Sequence, residues 1–417
     1  MTAPRSLRLR RPQGALSLHR KDPAPPDMPR RSMLAGLAVA SGALLSPQRA
    51  HSQSSAPLHR RHTGDIGALT LVDATLDGRT LRMMVDSGAS STLLAPESAR
   101  EFGLAVIERV RVATLGGVQQ VDRVRLGPLR IGDAELAAGT ALVLDLHAVL
   151  GPALAGVDGL IGMPAWRERP VAFDFVQRRL LMGDDAVARL QDAAPWPLHT
   201  ESGLPVIELR LGDRAPAPFL FDTGNAGALV VFAAHATRLL AEGPMLPRLT
   251  VHELGGDVTA QLALIERIES AGFAAHDVPV AFESGARARR GGPFDRLAGS
   301  FGMALLRHSI VLLDVPAARW RTAPAAVPPL PGGFGLALAD SPLRIGAVID
   351  GGPAAAAGLR PGDRLLNVDG RSVEQRPAHE VWQALEGVDS AAFEWQRGTA
   401  AARQTVLRRE RFFPRLR

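Results

Sequence analysis

Between residues 64 and 322 the apolar positions come in short runs, LTLVDATL, RVRVATL, VIELRL and RLTVHEL, that alternate with polar positions and stop at Gly and Pro. A period of two predicts half-buried strands, and the breaks predict turns. One stretch departs from this pattern: PESAREFG reads as a short helix.

The pattern occurs twice. In MMVDSGASSTLL an apolar run ends at Asp86, Ser87 and Gly88, and in FLFDTGNAGALVV another ends at Asp222, Thr223 and Gly224. A single copy reads as a strand running into a turn, since Asp, Ser and Gly each favour turns. Two copies in register call for more, because internal repeats reveal architecture. Gly116 of TLGGVQQ, followed by Gly117, lies 30 residues after Asp86, and Gly255 of ELGGDVTAQ, followed by Gly256, lies 33 after Asp222. Gly162 in DGLIGM and Gly302 in AGSFGM follow their acids by 76 and 80 residues. Twelve residues further on, Asp174 and Asp314 each close an apolar strand.

The predicted fold is mainly β, with two similar lobes at 64–193 and 194–322 joined near Pro195 and Pro197. A Pro-rich linker at 323–331 follows, which composition makes extended and stiff. It leads to a small α+β domain at 332–410, separable in principle from the lobes.

Composition narrows the chemistry. The chain has 417 residues, enough for two or three domains. Its sequence pI is about 11.0, yet residues 1–52 hold nine of the 48 basic residues and only two of the 42 acidic ones, leaving 39 against 40. The basicity belongs to the leader, so no nucleic-acid partner is expected. With no cysteine, disulfides, thiolate metal sites and a cysteine nucleophile are excluded. Lys21 is the only lysine, and there is neither HExxH nor GxSxG, so no cofactor or metal is expected. The charged loop ESGARARRGGPFDR, with Arg287, Arg289 and Arg290, reads as solvated.

The leader has the order of an export signal. Arg30 and Arg31 precede the weakly apolar MLAGLAVASGALL, which leads to a small-x-small site at Ala50, His51 and Ser52. It resembles a twin-arginine signal spanning 1–52, and translation starting at Met28 would preserve it. The apolar run is too short to span a bilayer comfortably. The expectation is a periplasmic or secreted bacterial protein without a stable membrane span.

Two like lobes related by a pseudo-twofold axis would bring Asp86 and Asp222 face to face. Carboxylates that close share a proton across a wide pH range. Such a pair can activate a water and protonate a carbonyl at once. Ser87 and Thr223 can lock the opposing loops, and Gly88 and Gly224 permit the tight turn. The glycine pairs Gly116–Gly117 and Gly255–Gly256 would tip flaps that close over a substrate.

VDSGAS and FDTGNA, their flap glycines and the apolar-apolar-Gly segments LIG at 160–162 and SFG at 300–302 resemble the retropepsin-like aspartic proteases. Here both half-sites lie on one chain, as in the bilobal pepsin arrangement. The resemblance implies one catalytic aspartate per lobe and endopeptidase activity on extended peptides. Asn225 departs from the family's usual Ala or Ser, and the flap Tyr of pepsins is absent because the chain has no Tyr.

From residue 332 onward, GGFGLAL, GGPAAAAGLRPGDRLLNVDGRSV and the helical PAHEVWQALEG resemble a PDZ domain of the bacterial protease type. That resemblance implies a carboxylate-binding loop at Phe334, Gly335 and Leu336, whose backbone N–H groups would hold a peptide C-terminus. Two functions fit: an exported aspartic endopeptidase with a PDZ module for substrate capture or regulation, and a non-catalytic peptide-binding protein whose lobes are scaffold.

Overall fold

The computed structural model describes residues 55–65, 67–114, 117–137, 139–146, 154–201, 203–240, 246–253, 256–271, 273–284, 294–324, 330, 332–339 and 342–416. The export signal at 1–52, Gly116, Gly255, Arg287, Arg289, Arg290 and most of the expected linker lie outside these residues.

Alternating runs become strands whose buried positions recur every second residue, as at Ile207, Leu209 and Leu211. The first lobe holds β1 (Ser55–His62), β2 (Ala68–Leu76), β3 (Arg79–Val85), β4 (Thr92–Leu94), α1 (Pro96–Glu101), β5 (Val106–Thr114) and β6 (Gly117–Arg125). It continues with β7 (Leu129–Ile131), β8 (Ala134–Leu136), β9 (Thr140–Val143), β10 (Gly159–Ile161), β11 (Val171–Asp174), β12 (Arg179–Met182) and α2 (Asp184–Arg189). The second lobe comprises β13 (Trp196–Pro197), β14 (His199–Glu201), β15 (Leu204–Leu211), β16 (Ala217–Phe221), β17 (Leu229–Val231), α3 (Ala233–Leu240) and β18 (Arg248–Glu253). After these come β19 (Gly256–Ser270), β20 (Phe273–Ser284), β21 (Gly299–Phe301), β22 (Ile310–Asp314) and β23 (Arg319–Ala323).

The duplication is visible in the sheets. One lobe runs β3-β10-β4-β9-β6-β5 and the other β16-β21-β17-β20-β19-β18. Parallel pairing joins β3 to β10 and β16 to β21. Between the lobes, β11 and β22 pair antiparallel, with Val171 opposite Leu313 and Asp174 opposite Ile310. Asp174 and Asp314 both end these strands. Asp174 accepts hydrogen bonds from the Gln177 N–H at 2.8 Å and Arg189 Nε at 2.9 Å. Asp314 accepts from the Ala317 N–H at 3.3 Å and Arg319 Nε at 2.8 Å. Buried acids need such partners, and these two fix the turns of the inter-lobe sheet.

β1 lies upstream of the expected lobe start at 64, yet it pairs with both β2 and β12. Its basic residues in SAPLHRRH hid the strand period.

The C-terminal domain comprises β24 (Leu336–Ala339), β25 (Arg344–Val348), α4 (Pro353–Ala356), β26 (Arg364–Val368), β27 (Arg371–Ser372), α5 (Ala378–Ala384), β28 (Ser390–Gln396) and β29 (Arg403–Arg408) around its own core. It does not hang from a linker alone. Helix α5 packs on β1, and β25 lies against β18. Arg60 pairs with Glu386, and His62 Nε2 stands 3.2 Å from the same carboxylate. Beyond 410 the chain returns to the second lobe: β30 (Arg415–Leu416) adds parallel to β19, and Arg415 grips Asp277 through two hydrogen bonds of 3.0 and 2.9 Å. Leu416 and Leu330 are buried in the core shared by the lobes. Besides the linker expected at 323–331, the tail and α5 tie the domain to the lobes at two places.

Among the described residues no helix is long and apolar enough to cross a membrane.

Candidate active site

Each acid is delivered by the strand behind it. The Asp86 N–H donates to Ile161 O at 3.0 Å and the Asp222 N–H to Phe301 O at 3.0 Å, continuing the β3–β10 and β16–β21 ladders. These crossings need residues without side chains. A Cβ at Gly162 would stand 2.3 Å from Ser91 O, and one at Gly302 2.2 Å from Gly227 O. Gly159 and Gly299 are equally confined, at 2.4 Å from Leu93 O and 2.0 Å from Val230 O. Sequence reasoning missed this second pair, although both sit three residues before Gly162 and Gly302.

Ser87 and Thr223 cross-link the two loops reciprocally. The Ser87 N–H donates to Thr223 Oγ1 at 2.8 Å and the Thr223 N–H to Ser87 Oγ at 3.0 Å. Each hydroxyl then donates onward across the interface, Ser87 Oγ to Phe221 O at 2.6 Å and Thr223 Oγ1 to Val85 O at 3.0 Å. Both side chains are fully enclosed. Buried hydrogen bonds satisfied at both ends fix geometry, because breaking one strands a polar group. Behind Asp222 a cluster of Phe221, Phe301, Phe273, Trp320 and Trp196 rings packs edge to face and tilted.

The loops bring the carboxyl groups together. A Cβ on Gly88 would lie 2.6 Å from Asp222 Oδ1, and one on Gly224 2.5 Å from Asp86 Cγ, so each acid rests on the other's glycine. Burial first, and then the Asp222 charge, pushes Asp86 up to about 8. Burial raises Asp222 too, opposed by the groups that donate to it.

Those donors are unequal. Asp86 Oδ1 accepts the Gly88 N–H at 2.8 Å, and the Ala89 N–H contributes. Asp222 Oδ1 accepts the N–H groups of Gly224 at 2.9 Å and Asn225 at 3.1 Å, while Oδ2 accepts Ser300 Oγ at 2.8 Å. Asn225 Nδ2 in turn donates to Ser300 Oγ at 3.0 Å, and its Oδ1 accepts the Gly227 N–H at 2.9 Å. Hydrogen bonds to the ionised form favour it. These donors favour the charge on Asp222 and the proton on Asp86.

Ser300 corrects the reading of SFG as apolar-apolar-Gly. Its counterpart in LIG is Leu160, so the one polar residue in the pair of segments was the available signal. The departure at Asn225 has its explanation in orienting that hydroxyl.

The glycine pairs expected to tip flaps belong to hairpins β5–β6 and β18–β19. Their last described pairs are Thr114 with Gly117 and Glu253 with Gly256, and Gly116 and Gly255 fall beyond them. In the C-terminal domain Phe334 and Leu336 turn their side chains into the core. Only the backbone of this loop is offered to a ligand, at Gly335 with φ of 76°.

Comparison with known proteins agrees with this division. Residues 72–165 match the family described as aspartyl protease, and residues 344–393 match the PDZ domain family. The chain thus joins an aspartyl-protease-like fold to a C-terminal PDZ domain. A segment of 75 residues is 51% identical to human Rhophilin-1, covering 18% of this chain and 11% of that protein. The protease match ends before the second lobe, whose equivalence rests on strand order and on the paired hydrogen bonds above.

Proposed function

We propose that the protein is an exported bacterial endopeptidase that hydrolyses peptide bonds with the Asp86–Asp222 pair and a water held between them. The observation that carries this reading is the placement of each carboxyl group against the opposite lobe's glycine inside the reciprocal Ser87–Thr223 lock. Asp222, held ionised by Ser300 and two N–H groups, takes a proton from the water as its oxygen attacks the carbonyl carbon. Asp86 gives its proton to the carbonyl oxygen. On collapse Asp222 protonates the departing nitrogen, Asp86 regains a proton from the diol, and the C–N bond breaks.

Hairpins β5–β6 and β18–β19 are the flaps in this reading, and an extended peptide lies between them and the acids. The PDZ domain supports a role in binding peptides, either as capture or as regulation. Export through the twin-arginine route rests on the order of regions in the leader.

The test is cleavage of a diverse peptide library by the parent and by Asp86→Asn. Products from the parent alone support the proposal. Products from neither leave the lobes as a scaffold for a peptide-binding PDZ.

A further inference from the structure

Asp65 lies in the turn between β1 and β2, and its carboxylate occupies the PDZ loop. The Gly335 N–H donates to Oδ2 at 3.2 Å. Arg409 Nη1 stands 3.4 Å from Oδ1 and donates to the Asp65 carbonyl at 3.1 Å. A Cβ on Gly333 would come within 2.5 Å of Oδ2, so the loop is shaped around this oxygen.

The cradle is built rather than accidental. Arg409 has a side chain only 8% exposed and is fixed by the carbonyls of Gly332 at 3.2 Å, Leu385 at 3.0 Å and Val388 at 2.8 Å. Its guanidinium lies 4.5 Å from the centre of the Phe334 ring. A backbone N–H and a buried arginine complement a single carboxylate. Beside them β24 ends its sheet, paired only with β25 among the described residues, which leaves an edge where an extended chain can add.

The other side of the turn reaches the acids. The Thr63 N–H closes the turn on Gly67 O at 2.9 Å, and the Ala68 N–H donates to Ala226 O at 3.2 Å. Ala226 belongs to the loop that carries Asp222, and a Cβ on Gly67 would lie 3.4 Å from its carbonyl. The domain also touches flap strand β18 through β25.

We propose that Asp65 is an internal ligand of the PDZ domain and that a peptide with a free C-terminal carboxylate competes with it for the loop. Displacing Asp65 releases the 63–67 turn from the Ala226 loop and loosens the hold on β18, which admits substrate more readily. The effect on cleavage rests on the endopeptidase reading; the competition for the loop does not.

Fluorescence anisotropy on the full chain tests the competition, using short fluorescein-labelled peptides ending in Ala, Val, Leu or Phe, each as free acid and as amide. Asp65→Asn, which keeps the shape and removes the charge, and Asp65→Ala should each bind at least one free acid about tenfold or more tighter than the parent, because a site filled in cis lowers apparent affinity by its occupancy. Amides should not bind. Circular dichroism establishes that the variants fold, and Asp65→Asn carries the test if Asp65→Ala does not. Equal affinity in parent and variants, equal binding of acid and amide, or no binding to any of the three proteins overturns the proposal.

In a second arm the best free acid should raise kcat/KM of the parent on an internally quenched substrate, mainly through KM, and leave Asp65→Asn unchanged. An unmoved parent overturns the link to the catalytic loop. A parent that cuts no substrate instead overturns the endopeptidase reading, and the anisotropy result stands apart from it.

Discussion

Ser300 Oγ donates to Asp222 Oδ2 at 2.8 Å, while Leu160, the equivalent residue of the first lobe, has nothing to donate to Asp86. Two lobes that match in strand order thus present unlike environments to their acids. A hydrogen bond to a charged group is worth roughly 1.5–3 kcal/mol, enough to place the proton on one side.

Ser300→Ala should therefore lower kcat/KM about tenfold and move the acidic limb of the pH profile upward by about one unit, the equivalent of 1.36 kcal/mol. The sign follows from Asp222 losing a donor, so its carboxylate gains a proton more easily. Ser300→Thr, which retains the hydroxyl, should restore the profile. An unmoved limb in Ser300→Ala, read from initial rates across pH, contradicts the placement of the charge.

Stability should carry the mark of Asp86. A carboxyl raised from 3.8 to about 8 makes the folded state bind more protons than the unfolded state between those values. Its contribution is full below the unfolded value and is lost as pH rises through that window. His62 acts oppositely: burial and the charge of Arg60 push it down to about 4, so its contribution is lost as pH falls from 6.5 toward 4. Subtraction removes it. Urea unfolding of the parent and Asp86→Asn should show the variant's relative stability growing from pH 4 to pH 8, and a constant difference contradicts the raised value.

The tail should matter to the protease lobes. Leu416 is 9% exposed in the shared core and anchors β30 beside β19. Leu416→Ala should cost about 2 kcal/mol in chemical unfolding, and deletion of 411–417 at least as much. No loss in either protein contradicts the anchoring.

Much of this was legible because repetition and period survive in sequence. The two Asp-hydroxyl-Gly turns, the strands around them and Gly162 and Gly302 all announce themselves by register. Other parts depend on what lies across space. Ser300 stands out as the one polar residue in the pair of segments, but it meets Asp222 only because β21 pairs with β16. Asp65 and Arg409 stand 344 positions apart and meet only when the PDZ domain docks. β1 and β30 escaped because basic residues cover apolar positions in one and a strand of two residues has no period in the other.

The leader makes a separate prediction. If residues 1–52 form a twin-arginine signal, replacing Arg30 and Arg31 by Lys should leave precursor in the cytoplasm, and the mature chain of the parent should begin near Gln53. Fractionation with N-terminal sequencing reads both, and normal export of the double variant contradicts the route.

The pairing of Asp86 with Asp222 is tested most directly by comparing Asp86→Asn, Asp222→Asn and the double variant on one peptide substrate, with folding followed in parallel. Each acid rests on the other's glycine, and in the proposed mechanism the pair shares one proton, so neither should act alone. Residues that act as a unit are grossly non-additive. The prediction is three folded proteins without cleavage, the double variant scarcely worse than either single one. Substantial cleavage by either single variant, or losses that add in the double one, would contradict the shared-proton pair.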